Sequence, residues 1–123
     1  MEIQMATLNK VLLIGKLDND PIIRQTPSGR VVAAFSLTTM TKYTKKNGEI
    51  GERANSHQVI LVGQLAETAR DGLAGGKTVF IEGRLENRTW KDKHGNDRIT
   101  TEIIGEKMQI LKPKTPASQL SDL

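Results

Sequence analysis

Residues 78–111, TVFIEGRLENRTWKDKHGNDRITTEIIGEKMQIL, decide the fold because they predict a long β-hairpin with its turn at 92–97. The candidate core-facing positions are Val79, Ile81 and Leu85 in the first strand and Ile99, Thr101 and Ile103 in the return strand. Since side chains alternate across a strand, Arg84, Arg88 and Trp90 then share the opposite face. A tryptophan beside arginines suits stacking on a nucleobase next to a phosphate. The alternative is a solvated hairpin with Trp90 folded down against the fold.

Three further segments predict strands ahead of this hairpin. The run LNKVLLIGKL from Leu8 is apolar at both odd and even positions, which indicates that both faces are covered, one of them by a second subunit. In VVAAFSLTTM, residues 31–40, the odd positions are apolar and Phe35 is expected to point into the core. The third strand is SHQVILVG, residues 56–63.

The connections carry turn and helix signals. Residues 18–29 are rich in turn formers and predict a loop, and residues 41–56 predict a flexible basic loop around Tyr43. A helix is predicted within residues 64–77, because Leu65, Ala69 and Leu73 form one apolar stripe before Gly75-Gly76 ends it.

This order of elements predicts an all-β protein: a five-stranded OB-fold barrel with one short helix between strands 3 and 4 and long protruding β-hairpins. The expected domain organisation is a flexible lead-in at 1–7, an OB-fold domain at 8–111 and a disordered tail at 112–123.

Composition narrows the class of protein. A chain of 123 residues suits one domain, and without cysteine it has no disulfides or thiolate metal ligands. No apolar run of about 20 residues and no leader pattern are evident, so we expect a soluble, cytoplasmic protein without a membrane partner. The net charge of +4 is a mild basic excess that suits a polyanion if it is gathered on one face.

Two segments resemble motifs for catalysis or metal binding, but the spacing of their residues does not match those motifs. GLAGGKT, residues 72–78, has three residues between Gly72 and Gly76 where a phosphate loop needs four, and it ends a helix instead of opening one. DKHGND, residues 92–97, lacks the glycine position and closing glutamate of a calcium loop. No nucleophile is placed with a base, so we predict no enzyme, no cofactor and no metal.

Four ordered blocks of the chain resemble the bacterial single-stranded DNA-binding proteins. They are LNKVLLIGKLDNDPIIRQTPSGRVVAAFSLTT, HQVILVGQLAE, GGKTVFIEGRL and RTWKDKHGNDRITTEI. The resemblance implies an OB-fold that forms a homotetramer and binds single-stranded DNA without sequence preference during replication, recombination and repair. It also implies a place at the nucleoid and replication or repair enzymes as partners.

The resemblance and the basic, aromatic-bearing segments together give the candidate DNA-binding residues. Trp90 matches a stacking tryptophan, Phe80 matches an aromatic of the fourth strand, and Tyr43 lies near another stacking position. The polar and basic candidates along the DNA path are Asn9, Lys10, Arg24, Lys42, Lys45, Lys46, His57, Arg84, Arg88 and Arg98.

Departures from the family leave a second function open. Ser56 and Val62 stand where the family often has aromatics, Gln64 stands where lysine is common, and the tail lacks an acidic, hydrophobic tip. These differences suit a diverged paralogue or a truncated chain. The alternative function is an OB-fold adaptor like primosomal replication protein N, which binds a helicase and contacts DNA weakly. A tetramer favours the DNA binder and a dimer favours the adaptor.

Overall fold

The computed structural model describes residues 6–112, which form a closed β-barrel with one helix. Its elements are β1 (Val11–Leu17), β2 (Ile22–Gln25), β3 (Val31–Thr44), β4 (Ile50–Val62), α1 (Gln64–Gly72), β5 (Thr78–Lys91) and β6 (Asp97–Leu111). The strands run in the order β1-β5-β6-β4-β3-β2, and a β1–β3 pairing closes the ring. Five strands make the barrel, which confirms the predicted OB-fold. The predicted lead-in at 1–7 and tail at 112–123 lie almost wholly outside the described residues.

The short strand β2 corrects the prediction of a loop over 18–29. Ile22 to Gln25 pair with Ala34 to Val31 of β3, so this segment extends the sheet at its edge. Pro21 and Pro27 obscured the strand, because only a short run of residues between them is free to pair. The correction matters for function, since β2 carries Arg24.

The core lies between the inward faces of the strands, as the alternating pattern predicts. Ala33, Phe35 and Leu37 of β3 are buried, and so are Val79 and Ile81 of β5. Burying one such large side chain stabilises the fold by about 1.5–3 kcal/mol relative to leaving it exposed. The core prediction for Phe35 is therefore confirmed.

Gly83 marks the point where the β5–β6 hairpin leaves the barrel. A β-bulge follows Glu82, and a Cβ at Gly83 would clash with the carbonyl oxygen of Ile104, so glycine permits this close strand approach. Beyond it most side chains are exposed, including Leu85 and Ile99, whose predicted core positions are wrong. We call residues 84–102 the β5–β6 arm.

The β3–β4 hairpin forms a second arm, residues 41–56. β3 continues to Thr44 and β4 begins at Ile50, so most of the predicted basic loop is a regular ladder and only 45–49 turn. The sequence did not predict this extension, because both faces of the ladder are polar or exposed there and no apolar alternation marks a strand.

The helix ends earlier than predicted, at Gly72 instead of at Gly75-Gly76. Leu73 is extended, its N–H donates to the Ala69 carbonyl, and the Lys77 ammonium donates to the Gly72 carbonyl at 3.0 Å. Ala66, Ala69 and Leu73 are buried against the barrel. Within 6–112, no helix is long and apolar enough to span a bilayer.

Strand β1 is covered on one face only. Gly15 and Leu17 are buried and Val11 and Leu13 are partly buried, whereas Leu12 and Ile14 are 59% and 60% exposed on the outer face. The predicted cover for this outer face is not supplied by the barrel itself.

Candidate nucleic-acid interface

The outer face of the sheet carries Trp90, near the tip of the β5–β6 arm. Its side chain is 40% exposed, and its indole Nε1 donates to Thr100 Oγ1 at 2.7 Å across the ladder. The hydrogen bond fixes one edge of the ring while the residue stays accessible. Trp90 is therefore not folded into the core.

A groove of about 420 Å³ on the outer face brings Arg24 of β2 and Arg88 of β5 together. Its lining residues are Ile22, Arg24, Val32, Ala34, Gln58, Ile60, Arg88 and Glu102. Four of these residues are aliphatic, and the other four are polar or charged: two arginines, a glutamine and a glutamate. Such a groove can hold a flat apolar ring with an anionic group at its edge.

The Arg88 guanidinium is held through one nitrogen. Arg88 Nε lies 3.2 Å from Glu102 Oε1, and the Glu102 side chain is only 13% exposed. Arg98, opposite Trp90 in the ladder, is held in the same way, with its Nε 3.0 Å from Asp92 Oδ2. In both residues Nε contacts the carboxylate, and the two terminal nitrogens lie further along the side chain.

Asp92 closes the turn of the arm. Its carboxylate accepts the backbone N–H groups of His94 and Asn96 as well as the Arg98 guanidinium. These donors, the Asn96 N–H first among them, hold the pKa of Asp92 below its usual range. The turn thus fixes where Arg98 points.

Arg84, Lys10 and Asn9 make structural contacts at the base of the arm. The terminal nitrogens of Arg84 lie 3.3 Å from Glu86 and 3.8 Å from Glu106, and Lys10 Nζ lies 3.3 Å from Glu82. The Asn9 side chain pairs with both backbone groups of Leu85 at 2.8 Å. Their candidate DNA contacts would have to compete with these bonds.

The β3–β4 arm carries the other basic candidates. Lys42, Lys45 and Lys46 are exposed and make no ion pair with any residue in the described part of the chain. Tyr43 packs over Gly51, with the Arg53 guanidinium 5.0 Å from its ring centre. This ring lies on the opposite face of the ladder from Lys42.

His57 and Phe80 lie apart from the groove. His57 Nε2 is 2.9 Å from Thr39 Oγ1, on the face of the β3–β4 ladder that also carries Tyr43. Phe80 is on the outer face but opposite Ile14 of β1. The structure thus gathers Arg24, Arg88, Arg98 and Trp90 on one face and separates Tyr43 and His57 from them.

Sequence reasoning missed a cluster of hydroxyls around the Asp18 carboxylate on the outer face. The hydroxyls of Ser36 and Thr38 donate to Asp18, and the Ser56 hydroxyl joins them, 3.4 Å from Asp18 Oδ2. These bonds, Thr38 first, hold the pKa of Asp18 below its usual range. The available signal was the run of hydroxyls at even positions, which alternation places on one face.

The chain is similar to known proteins in sequence and in fold. A model of the single-strand binding protein family matches residues 8–111. The single-stranded DNA-binding protein 1 of Chlorobaculum tepidum is 41% identical over 116 residues, covering 94% of this chain and 72% of that protein.

Two solved structures are also similar. The single-strand binding protein of Plasmodium falciparum in complex with single-stranded DNA superposes with a TM-score of 0.82 at 27% identity, covering 89% of this chain and all of that one. A deletion mutant of the Thermus aquaticus single-stranded DNA-binding protein gives 0.76 at 33% identity, covering 85% and 51%. By family match and identity over most of its length, the chain belongs to the single-strand binding protein family.

Proposed function

We propose that this protein binds single-stranded DNA without sequence preference through the outer face of its OB-fold domain, residues 8–111. The observation that carries the proposal is Trp90, accessible and fixed at one edge, on the same face as Arg88 and Arg98. Every base has a π-face, so stacking on an indole accepts any sequence. The names of its relatives support the same activity.

The groove supplies the second part of the binding surface. Arg24 and Arg88 line it, where they can neutralise phosphates, and its aliphatic side chains can cover the face of a base. Neutralised phosphates release counterions, so the affinity is expected to fall as salt rises. Bound in this way, the strand is kept single-stranded and protected during replication, recombination and repair.

The adaptor function is the second candidate, and one observation favours it. Ser56 and Val62 leave the outer face of β4 without an aromatic ring, which weakens base stacking there. The retained Trp90 and the relatives named for DNA binding support the first function instead.

Subunit association accompanies the proposed function. Leu12 and Ile14 form an exposed apolar surface on β1, next to Phe80 across the ladder. We propose a homotetramer assembled in part through this surface; a dimer would support the adaptor function. The protein would act in the cytoplasm, at the nucleoid, with replication or repair enzymes as partners and without catalysing a reaction.

A fluorescence titration tests the proposal. Trp90 is the only tryptophan, so its emission reports directly on the proposed stacking site. Adding dT oligomers of increasing length at two salt concentrations should quench this emission. Unchanged emission at low salt would contradict the stacking role.

Removing the ring tests the size of the contribution. Trp90→Ala should weaken binding of a labelled dT oligomer by about 5- to 150-fold, which corresponds to the 1–3 kcal/mol of one base–aromatic stack. Lys93→Ala, which removes one exposed charge from the same turn, is the control and should weaken binding far less. Equal effects of the two substitutions would contradict stacking.

A further inference from the structure

Two side chains of β6 hold the two β5 side chains that are proposed to bind DNA. Thr100 Oγ1 accepts the hydrogen bond of the Trp90 indole at 2.7 Å, and Glu102 Oε1 lies 3.2 Å from Arg88 Nε. Trp90 and Arg88 are two positions apart on β5, and Thr100 and Glu102 are two apart on β6. All four therefore share the outer face of the arm.

The contact to Glu102 uses Nε of Arg88 and leaves the two terminal nitrogens available to a phosphate. A guanidinium has five N–H donors, and its two terminal nitrogens form the fork that binds a phosphate bidentately. Because Glu102 accepts from Nε, it fixes the plane of Arg88 while leaving that fork unengaged by its carboxylate. Arg84 differs, since both of its terminal nitrogens face the carboxylates of Glu86 and Glu106.

The accessibility of the pair fits this role. The Glu102 side chain is 13% exposed and lines the groove, whereas Arg88 is 57% exposed. The carboxylate thus sits beneath the guanidinium and the guanidinium faces outward.

The contact to Thr100 uses the only polar atom of the indole. With Nε1 held, the ring cannot turn freely about its side-chain bonds, yet its faces carry no hydrogen bond. A ring that is already fixed loses less conformational freedom when a base stacks on it.

We propose that Thr100 and Glu102 are positioning residues for single-stranded DNA: Thr100 fixes the Trp90 ring for stacking, and Glu102 aims the Arg88 fork at a phosphate. This inference rests on the proposed function and adds to it. It gives Thr100 and Glu102 a role in DNA binding although neither side chain needs to contact the DNA. For Glu102 it also predicts an effect opposite in sign to that of simple charge repulsion.

Thr100 is tested by removing its acceptor oxygen. Thr100→Val keeps the shape and should weaken dT binding by about 2- to 12-fold, the range expected for freeing one side chain. It should also speed the decay of Trp90 fluorescence anisotropy in the free protein. Thr100→Ser keeps the hydroxyl and should restore both values.

A double-substitution cycle separates positioning from a general loss of structure. In the Trp90→Ala background, Thr100→Val should cause no further loss of affinity, because the ring it positions is gone. An unchanged affinity in Thr100→Val alone, or the same loss in both backgrounds, overturns the assignment.

Glu102 is tested by the sign of the effect. If the carboxylate only repels DNA, Glu102→Ala should tighten binding; if it positions Arg88, the same substitution should weaken binding about 2- to 12-fold. Glu102→Gln keeps an acceptor oxygen for Arg88 Nε and the same volume, so it should bind at least as tightly as the unmodified chain. Glu86→Ala removes a carboxylate that contacts Arg84 instead, and it should not weaken binding.

Two outcomes overturn the role of Glu102. One is tighter or equal binding by Glu102→Ala, and the other is the same weakening when Arg88 is already alanine. The melting temperature of each variant shows whether it folds. If Glu102→Ala lowers the melting temperature, Glu102→Gln takes its place in the test. Weaker dT binding by Glu102→Gln than by the unmodified chain would equally contradict the assignment.

The unmodified chain separates this inference from the proposed function. If it does not bind a labelled dT oligomer at low salt, the function and the positioning roles both fail. If it binds dT and Trp90→Ala weakens binding, while Thr100→Val and Glu102→Ala do not, only the positioning roles fail.

Discussion

Ser56 lies on the proposed binding face, at a position where the resemblance to the family leads us to expect an aromatic ring. Its hydroxyl lies within hydrogen-bond distance of Ser36 Oγ and Asp18 Oδ2, so this position on the outer face of β4 carries a small polar side chain. Ser56→Trp should therefore add a stacking surface and tighten binding of a labelled dT oligomer by about 5- to 150-fold. Ser56→Ala, which removes the hydroxyl without adding a ring, is the matched control and should leave most of the affinity unchanged. If Ser56→Trp binds dT no more tightly than the unmodified chain, the single-stranded DNA does not pass over β4.

The hydroxyls around Asp18 also make the stability of the fold depend on pH. Hydroxyl donors lower the pKa of Asp18 in the folded chain, so the fold gains stability above the unfolded pKa of about 4 and loses it as pH falls through the lowered value. Asp18→Asn should lower the melting temperature at pH 7 and reduce the further drop between pH 5 and pH 2. Asp20→Asn, a neighbouring carboxylate outside the cluster, is the control. A pH profile of Asp18→Asn parallel to that of the unmodified chain would contradict this account.

Residue types alone predicted part of the site and missed part of it. Trp90 and Arg88 were identifiable because alternation places both on one face, away from the core. The partner of each was not identifiable, because whether Thr100 or Thr101 faces Trp90 depends on the register set by the turn and by the bulge near Gly83. Asp18 was missed for a similar reason, since it lies in a predicted turn and meets Ser36 and Ser56 only through the closed barrel.

Among the elements, the two arms differ in charge. The β5–β6 hairpin, residues 78–111, carries six basic and six acidic side chains and thus has no net charge. The β3–β4 arm, residues 41–56, carries four basic and two acidic side chains. We infer that the first arm contributes mainly stacking and the second mainly attraction for the phosphates.

The salt dependence of binding tests this division. Replacing Lys42, Lys45 and Lys46 together by alanine should flatten the plot of log affinity against log salt by up to about 2, near 0.7 for each phosphate that the variant no longer neutralises. Arg84→Ala, which removes a charge already paired with Glu86 and Glu106, should change the slope much less. Equal slopes for the unmodified chain and the triple variant would show that the β3–β4 arm stays away from the strand.

The sequence predicts a strand correctly where one face of that strand is buried. It does not where both faces are exposed. Ala33, Phe35 and Leu37 alternate with polar or small residues because β3 lines the core there. Past Thr39 the same strand continues without a core to impose a pattern, and the sequence then resembles a loop. Leu85 and Ile99 show the converse error, since alternation continues along the arm after the barrel has ended.

For the whole molecule, closure of the barrel leaves β1 with an apolar outer surface. Leu12 and Ile14 are both more than half exposed, and Phe80 lies directly across from Ile14. Apolar residues at both parities of β1 had indicated this from the sequence, although alternation could not say which face the barrel itself would cover. A contiguous exposed apolar patch, when it is large enough, marks an interaction site, and this outer surface of β1 is the place we propose for one.

A substitution at Ile14 tests whether this surface joins subunits. Ile14→Glu places a charge at its centre, where an interface would desolvate it, and should convert a homotetramer into smaller species in light scattering coupled to size exclusion. Ile99→Glu is the matched control, because Ile99 is also an exposed isoleucine on a strand but lies on the β5–β6 arm. Its subunit number should stay unchanged. If Ile14→Glu keeps the tetramer, association must use another face of the barrel. If the unmodified chain is already a dimer, that result supports the adaptor function. The affinity of that dimer for dT then decides between the two functions.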